Sequence, residues 1–223
     1  MMTARVFSIA VGALLLISLS ASASEIVLTA FEPFGKLPVN NSAKVVSHLA
    51  ALLRGSSVKV KTCLLPVEYD RAAAVAFECI GERSPDLVLS FGATGACELR
   101  FETVAHNHDR TGATDNAGVR RNQNTPIIEG APETIPFNAP MRELFTRAAP
   151  SEDFPIAQSK NTGTYVCNNE AYWLATRYST PNSKTRFGFI HVPETSCGGR
   201  TANANALAAA IFQSMRAAMP ELF

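Results

Sequence analysis

The sequence predicts an α/β fold in one domain, built on a mostly parallel sheet. Three observations carry that expectation. Between Glu25 and Phe91 the chain alternates strand, helix, strand, helix, strand. Leu87 to Phe91 (LVLSF) is an apolar run without polar alternation, which suits a parallel strand covered on both faces. No internal repeat, low-complexity tract or linker divides the chain after its first two dozen residues. Of 223 residues, 47% are hydrophobic and 17% charged, enough apolar material for a sizeable core. A net charge of +1 gives no electrostatic reason to expect nucleic acid or an anionic membrane as a partner.

The N-terminus reads as a leader. Met1 to Arg5 carries one positive charge, Val6 to Ser18 is almost wholly apolar, and Ala21-Ser22-Ala23 is a small-residue cleavage pattern. The apolar run is too short for a spanning helix, which needs roughly 20 residues. The expectation is export to the periplasm or outside the cell, with residues 1–23 removed and a single domain over residues 24–223. An oxidising compartment gives the five cysteines meaning: Cys63, Cys79, Cys97, Cys167 and Cys197. Five reduced, packed cysteines are one alternative; two disulfides would leave one thiol over. If that is Cys167, the other four allow three pairings, and Cys63 with Cys79 is one candidate pair.

The elements follow in order. Glu25–Ala30 (EIVLTA) is a strand, stopped by Pro33 and Gly35 in FEPFG. Asn40-Asn41-Ser42 caps a helix with Val45, Val46, Leu49 and Leu52 on one face. Val58–Val67 is a second strand, and a helix over Asp70–Gly81 leads to the strand at Leu87. The rule that ligands gather at the carboxyl ends of parallel strands points to residues 31–40 and 92–98. Gly92-Ala93-Thr94-Gly95 lacks the remaining positions of a phosphate-binding loop. Leu99–Ala105 alternates as one strand, with Arg100, Glu102 and Val104 on one side, so Glu102 is expected to face solvent unless that side lines a cleft. His106, His108 and Asp109 fall in a turn-rich stretch, but no HExxH or wider Cys/His cluster supports a metal site there. Residues 119–138 are irregular. A short helix starts at Pro140, a strand covers Phe154–Gln158, and another, Arg186–Val192, carries His191 at its carboxyl end. A covering helix closes the chain at Ala202–Met219.

The functional centre is Ser159 to Asn169 (SKNTGTYVCNN). Thr162 and Thr164 are candidate N-caps, with a tight turn at Gly163, for a helix whose first turn holds Cys167. Free N–H groups and the helix dipole there favour a thiolate, the reactive form of cysteine, so a lowered thiol pKa is expected. Cys167 as nucleophile, His191 as base and Glu102 as the group that orients the imidazole form a candidate catalytic set. The plainer alternative is a buried, inert cysteine.

FEPFG, then FETVAHN and DNAG, then GTYVCN and GFIHVP occur in that order. Together they resemble the pyroglutamyl peptidase I family of cysteine peptidases. The resemblance implies a single α/β/α sandwich, no cofactor, and removal of an N-terminal pyroglutamyl residue from peptides. It places the triad on Glu102, Cys167 and His191. It further implies that Phe31 and Phe34 flank the pyroglutamyl ring, that Asn40 lies in the loop that binds it, that Val166 contributes beside it, and that the chain can form a homo-oligomer. Several positions depart from the family pattern: Lys36, Asn41, Thr103, and a segment DRTGATDN in which Gly112 stands where the family has an arginine. These departures leave two rival expectations, a non-catalytic binding protein of the same fold and an amide hydrolase with altered specificity.

Overall fold

The computed structural model describes residues 23–121, 125–148, 154–197 and 199–223, without the side chains of residues 197 and 200. All but the last residue of the expected leader therefore lies outside the described residues. Six strands form the main sheet: β1 (Glu25–Phe31), β2 (Lys59–Leu65), β3 (Leu87–Thr94), β4 (Leu99–Glu102), β7 (Ile156–Ser159) and β8 (Arg186–Pro193), in the order β2-β1-β3-β8-β4-β7. Every neighbouring pair is parallel except β4 with β8. Between β4 and β7 the chain forms β5 (Val104–His106), β6 (Thr134–Pro136) and helix α3 (Met141–Arg147). The remaining elements are α1 (Asn41–Arg54), α2 (Arg71–Ile80), α4 (Val166–Tyr178), a short hairpin of β9 (Ser196–Cys197) with β10 (Arg200–Thr201), and α5 (Ala204–Ala218).

Strand pleating sorts the core into two layers. Ile26, Leu28 and Ala30 of β1, Leu89 and Phe91 of β3, and Ile190 and Val192 of β8 pack with α1, α3 and α5. The alternate residues Val27, Phe31, Val88, Phe187 and Phe189 pack with α2 and α4. The result is the expected α/β/α sandwich. In α1 the buried stripe is Val45, Val46, Leu49 and Leu53, while Leu52 is exposed, so the face runs one residue further round than its expected position. Asn40 starts that helix as expected: its Oδ1 accepts from the Ser42 N–H at 3.0 Å.

Three sequence expectations need correction. The stretch 99–105 is not one strand. It breaks at Thr103, whose N–H donates to the Ser159 carbonyl at 2.9 Å, and Val104–His106 leaves the main sheet to pair with Thr134–Pro136. That pairing also puts a strand into the stretch read as irregular. The caps of α4 differ as well. Tyr165 occupies the N-cap and makes no side-chain cap bond. Thr162 and Thr164 instead donate their hydroxyls to the carbonyls of Val104 and Arg110. Both threonines anchor the loop to remote backbone, and Gly163 makes the turn between them at φ +85°.

Cys63 on β2 and Cys79 on α2 form a disulfide with a Cα–Cα distance of 6.1 Å. Cys97 is also disulfide-bonded. Among the described residues, Cys167 is the free thiol.

Candidate active site

The site forms where the carboxyl ends of β3 and β8 meet the start of α4. Cys167 is the second residue of α4, so the N–H groups of the first turn have no partners within the helix. His191 lies on β8, paired with Gly92 of β3. Glu102 ends β4 and is paired with Phe189, two residues before His191. Because β4 runs antiparallel to β8, its last residue comes back alongside the histidine's own strand. His191 Nδ1 meets Glu102 Oε1 at 2.9 Å, with the carboxyl fully buried and the imidazole nearly so. Glu102 is thus an interior group. A carboxylate accepting at Nδ1 fixes the tautomer that leaves Nε2 free to take a proton.

Gly92 brings sulfur and imidazole together. A Cβ at Gly92 would stand 2.9 Å from Cys167 Sγ, 3.0 Å from His191 Cδ2 and 3.0 Å from the Phe189 ring. The thiol and the Nε2 side of the imidazole therefore converge over one bare backbone position. The Phe189 ring lies against the imidazole, 4.8 Å between centroids.

The expected lowering of the Cys167 pKa is not found. The residue keeps part of its surface open, but the groups packed around the sulfur decide its titration. Burial first, then the charge that the Glu170 carboxyl in the next turn of the helix can carry, and then Glu102, push the thiol up to about 12. The backbone N–H at the helix start acts in the opposite direction and does not win. A thiol raised in this way favours keeping its proton at pH 7, so any attack by this sulfur would need a base.

The four expected substrate contacts divide. Phe31 and Val166 are buried together in the layer beneath α4, while Phe34, Tyr165 and Cys167 form its half-open edge. Phe34 sits 6.5 Å from the Tyr165 ring, which in turn meets Tyr69 edge-on at 5.7 Å. Phe31 and Val166 thus form a floor, and the aromatic wall is Phe34 with Tyr165. Phe31 does not face its partner across an open slot. Asn40 is 3% exposed and fully engaged: its Nδ2 donates to the Glu32 carbonyl at 2.9 Å while its Oδ1 caps α1. It shapes the FEPFG loop from behind. Phe34 and Asn40 also border a cavity of about 200 Å³ with Val39, Ala93 and Glu194.

Sequence reasoning missed the two asparagines after Cys167. Asn168 Oδ1 accepts the His106 N–H at 2.9 Å, and its Nδ2 donates to the carbonyls of His106 and His108. Asn169 donates to Asp109 Oδ2 at 2.7 Å and to Asp70 Oδ1 at 3.1 Å. Arg121 bridges the same two carboxylates and lies 4.6 Å over the Tyr69 ring. The 108–121 segment is therefore bolted to α4, the helix that carries Cys167. Burial raises the Asp109 carboxyl to about 6 despite these donors. Asp115 of DNAG accepts the Tyr69 N–H, and Asn116 holds the Pro33 carbonyl at 2.9 Å. The only signal for these roles was the density of Asn and Asp, residues that bond backbone.

A sequence profile described as pyroglutamyl peptidase matches residues 24–205. The chain belongs to the pyroglutamyl peptidase family. The pyrrolidone-carboxylate peptidase of Yersinia pestis (strain Pestoides F) is 32% identical over 169 residues, covering 75% of this chain and 77% of that one. The crystal structure of pyroglutamyl peptidase I from Bacillus amyloliquefaciens superposes with a TM-score of 0.78 at 26% identity, over 88% of this chain and 96% of that one. Pyrrolidone carboxyl peptidase from Thermus thermophilus gives a TM-score of 0.73 at 26% identity, over 86% and 99% of the two chains. This family member is a cysteine-type exopeptidase with the family's α/β fold.

Proposed function

We propose that this peptidase hydrolyses the amide bond after an N-terminal pyroglutamyl residue, with Cys167 as nucleophile, His191 as general base and acid, and Glu102 as the group that orients His191. The observation that supports it most is the buried contact of Glu102 with His191 Nδ1, whose ring shares Gly92 with the Cys167 sulfur. His191 Nε2 takes the thiol proton as Sγ attacks the pyroglutamyl carbonyl carbon. The N–H groups at the start of α4 hold the oxyanion. The tetrahedral adduct collapses as Nε2–H protonates the leaving amine, the C–N bond breaks, and a thioester remains on Cys167. Water then gives a proton to Nε2 and adds to the thioester carbon. The C–S bond breaks, and the sulfur regains its proton.

The lactam ring is small and flat, with one N–H and one C=O. The aromatic edge of Phe34 and Tyr165 over the Phe31 and Val166 floor suits its faces. A site whose polar groups bond the lactam rejects proline by leaving them unpaired. The purified mature protein is expected to release the amine from a pyroglutamyl amide about 10⁴ times faster than from the matching prolyl amide. No release from the pyroglutamyl compound would remove the proposal, and equal rates would remove the lactam specificity.

The reading of residues 1–23 as a cleaved export leader is supported by their three-part pattern and by the disulfides, which persist in oxidising compartments. The partners are then peptides with a pyroglutamyl N-terminus outside the cytoplasm.

Gly92→Ala tests how the site is packed. A methyl group there must displace the sulfur, the imidazole or the Phe189 ring. The expected result is a loss of about 100-fold in kcat/KM, the order that a misplacement near 1 Å produces. Activity within a fewfold of wild type would show that sulfur and imidazole do not depend on this contact.

A further inference from the structure

Glu170 has no part in the mechanism above, yet it is fully buried one turn below Cys167. Positions 167 and 170 are three residues apart, so both side chains project from the same side of α4. The sheet repeats that step. Gly92 lies beneath Cys167, and Ser90, two residues earlier on β3 and so on the same face, lies beneath Glu170. Ser90 pairs in register with Thr29 of β1. The two hydroxyls form a cradle: Ser90 Oγ donates to Glu170 Oε1 at 2.8 Å and Thr29 Oγ1 approaches it at 3.4 Å. Both are fully buried. The second carboxyl oxygen, Oε2, is buried with no hydrogen-bond partner.

We propose that Glu170 is a positioning residue for Cys167: a carboxyl that must stay protonated for the sulfur to give up its proton, so that ionisation of Glu170 closes the alkaline side of the activity profile. A carboxylate costs several kcal/mol to bury without a cation, and neutral hydroxyls offset only part of that. Burial accordingly raises Glu170 to about 8. Cys167 is on its own helix, and His191 lies on β8 with Glu102 behind it. The same layer holds the phenols of Tyr69, Tyr172 and Tyr178, and the Asp70, Asp109 and Arg121 cluster meets α4 at Asn169. β1 and β3 present Thr29 and Ser90. α2 contributes Ala72 and Ala76 to the layer and β5 contributes Ala105, all uncharged. Once ionised, Glu170 sets a negative charge beside the sulfur, and that charge is one of the causes that hold the thiol's pKa up. The same charge opposes the oxyanion at the start of the helix. The sign is therefore fixed: neutral below about 8, permissive; anionic above, inhibitory.

The proposal rests on Cys167 being the nucleophile, and the test separates the two. Wild type and Glu170→Gln are compared from pH 6 to 10 by kcat/KM on a pyroglutamyl amide and by the alkylation rate of Cys167 with iodoacetamide, followed by mass spectrometry. Gln keeps the shape and an acceptor for Ser90 but cannot ionise. Wild-type kcat/KM is expected to fall about tenfold between pH 7 and 9, and Glu170→Gln to lack that fall. Alkylation of Cys167 at pH 9 should be about tenfold faster in the variant. This second readout reports on the sulfur whether or not it is the nucleophile. Should Glu170→Gln not fold, Ser90→Ala serves instead. It removes the donor that favours the ionised carboxyl, so the alkaline fall should move to higher pH. Superimposable profiles and alkylation rates in a folded variant would overturn the proposal. An alkylation difference without any amide hydrolysis in wild type would keep the coupling and reject the nucleophile.

Discussion

Cys167→Ala is expected to lower kcat/KM on a pyroglutamyl amide by about 10⁴-fold or more, to the background set by the remaining groups. The methyl group supplies no electron pair, and no other described cysteine is free to replace it. Stability is expected to move by less than about 1 kcal/mol, because the side chain is small and partly exposed and its thiol is neutral at pH 7. Activity and thermal unfolding measured on the same preparation check both halves. A variant that unfolds like wild type and still releases amine at the wild-type rate would mean that another group attacks the carbonyl.

Glu102→Gln should give the next largest loss, about 10²- to 10⁴-fold in kcat with KM little changed. The amide has the carboxyl's shape and keeps a hydrogen bond to His191 Nδ1. Its NH₂, however, can donate to Nδ1, and the ring proton then sits on Nε2, where it cannot accept the thiol proton. The positive imidazole formed during attack also loses its buried counter-charge. A drop shared between kcat and KM would point to damage in the binding floor, since Glu102 is paired with Phe189, a member of that layer. Steady-state kinetics with a titrated active-site concentration distinguish the two patterns.

Much of this site could be read from the chain. The cysteine two residues into a helix and the histidine at a strand end are local patterns, and both stand where those patterns put them. Glu102 was legible as a residue but not as a buried one. A strand with alternate polar positions reads as half-exposed, and only the antiparallel return of β4 against β8 brings its polar side onto the imidazole. The N-caps were misread for a related reason. Thr162 and Thr164 have suitable chemistry and position, but carbonyls from Val104 and Arg110, more than 50 residues earlier in the chain, compete for their hydroxyls. The thiol's titration was the least legible property. The helix start is a local feature and lowers the pKa, whereas the burial around the sulfur comes from packing and raises it, as does the nearby Glu170 carboxyl, whose own burial the local pattern does not show.

That reluctance of Cys167 to ionise bears on how long such a protein lasts where disulfides form. Sulfur attacks a peroxide oxygen or a disulfide bond mainly as its anion, and an unprotected thiolate would be converted to sulfenic acid, with water released, or to a mixed disulfide, with a thiolate released. A sulfur that holds its proton until a neighbouring base removes it exposes almost no target in the idle state. On the proposed mechanism the cost is a slower intrinsic attack, which His191 would offset, and the return would be a nucleophile with a long shelf life if the chain is exported as proposed.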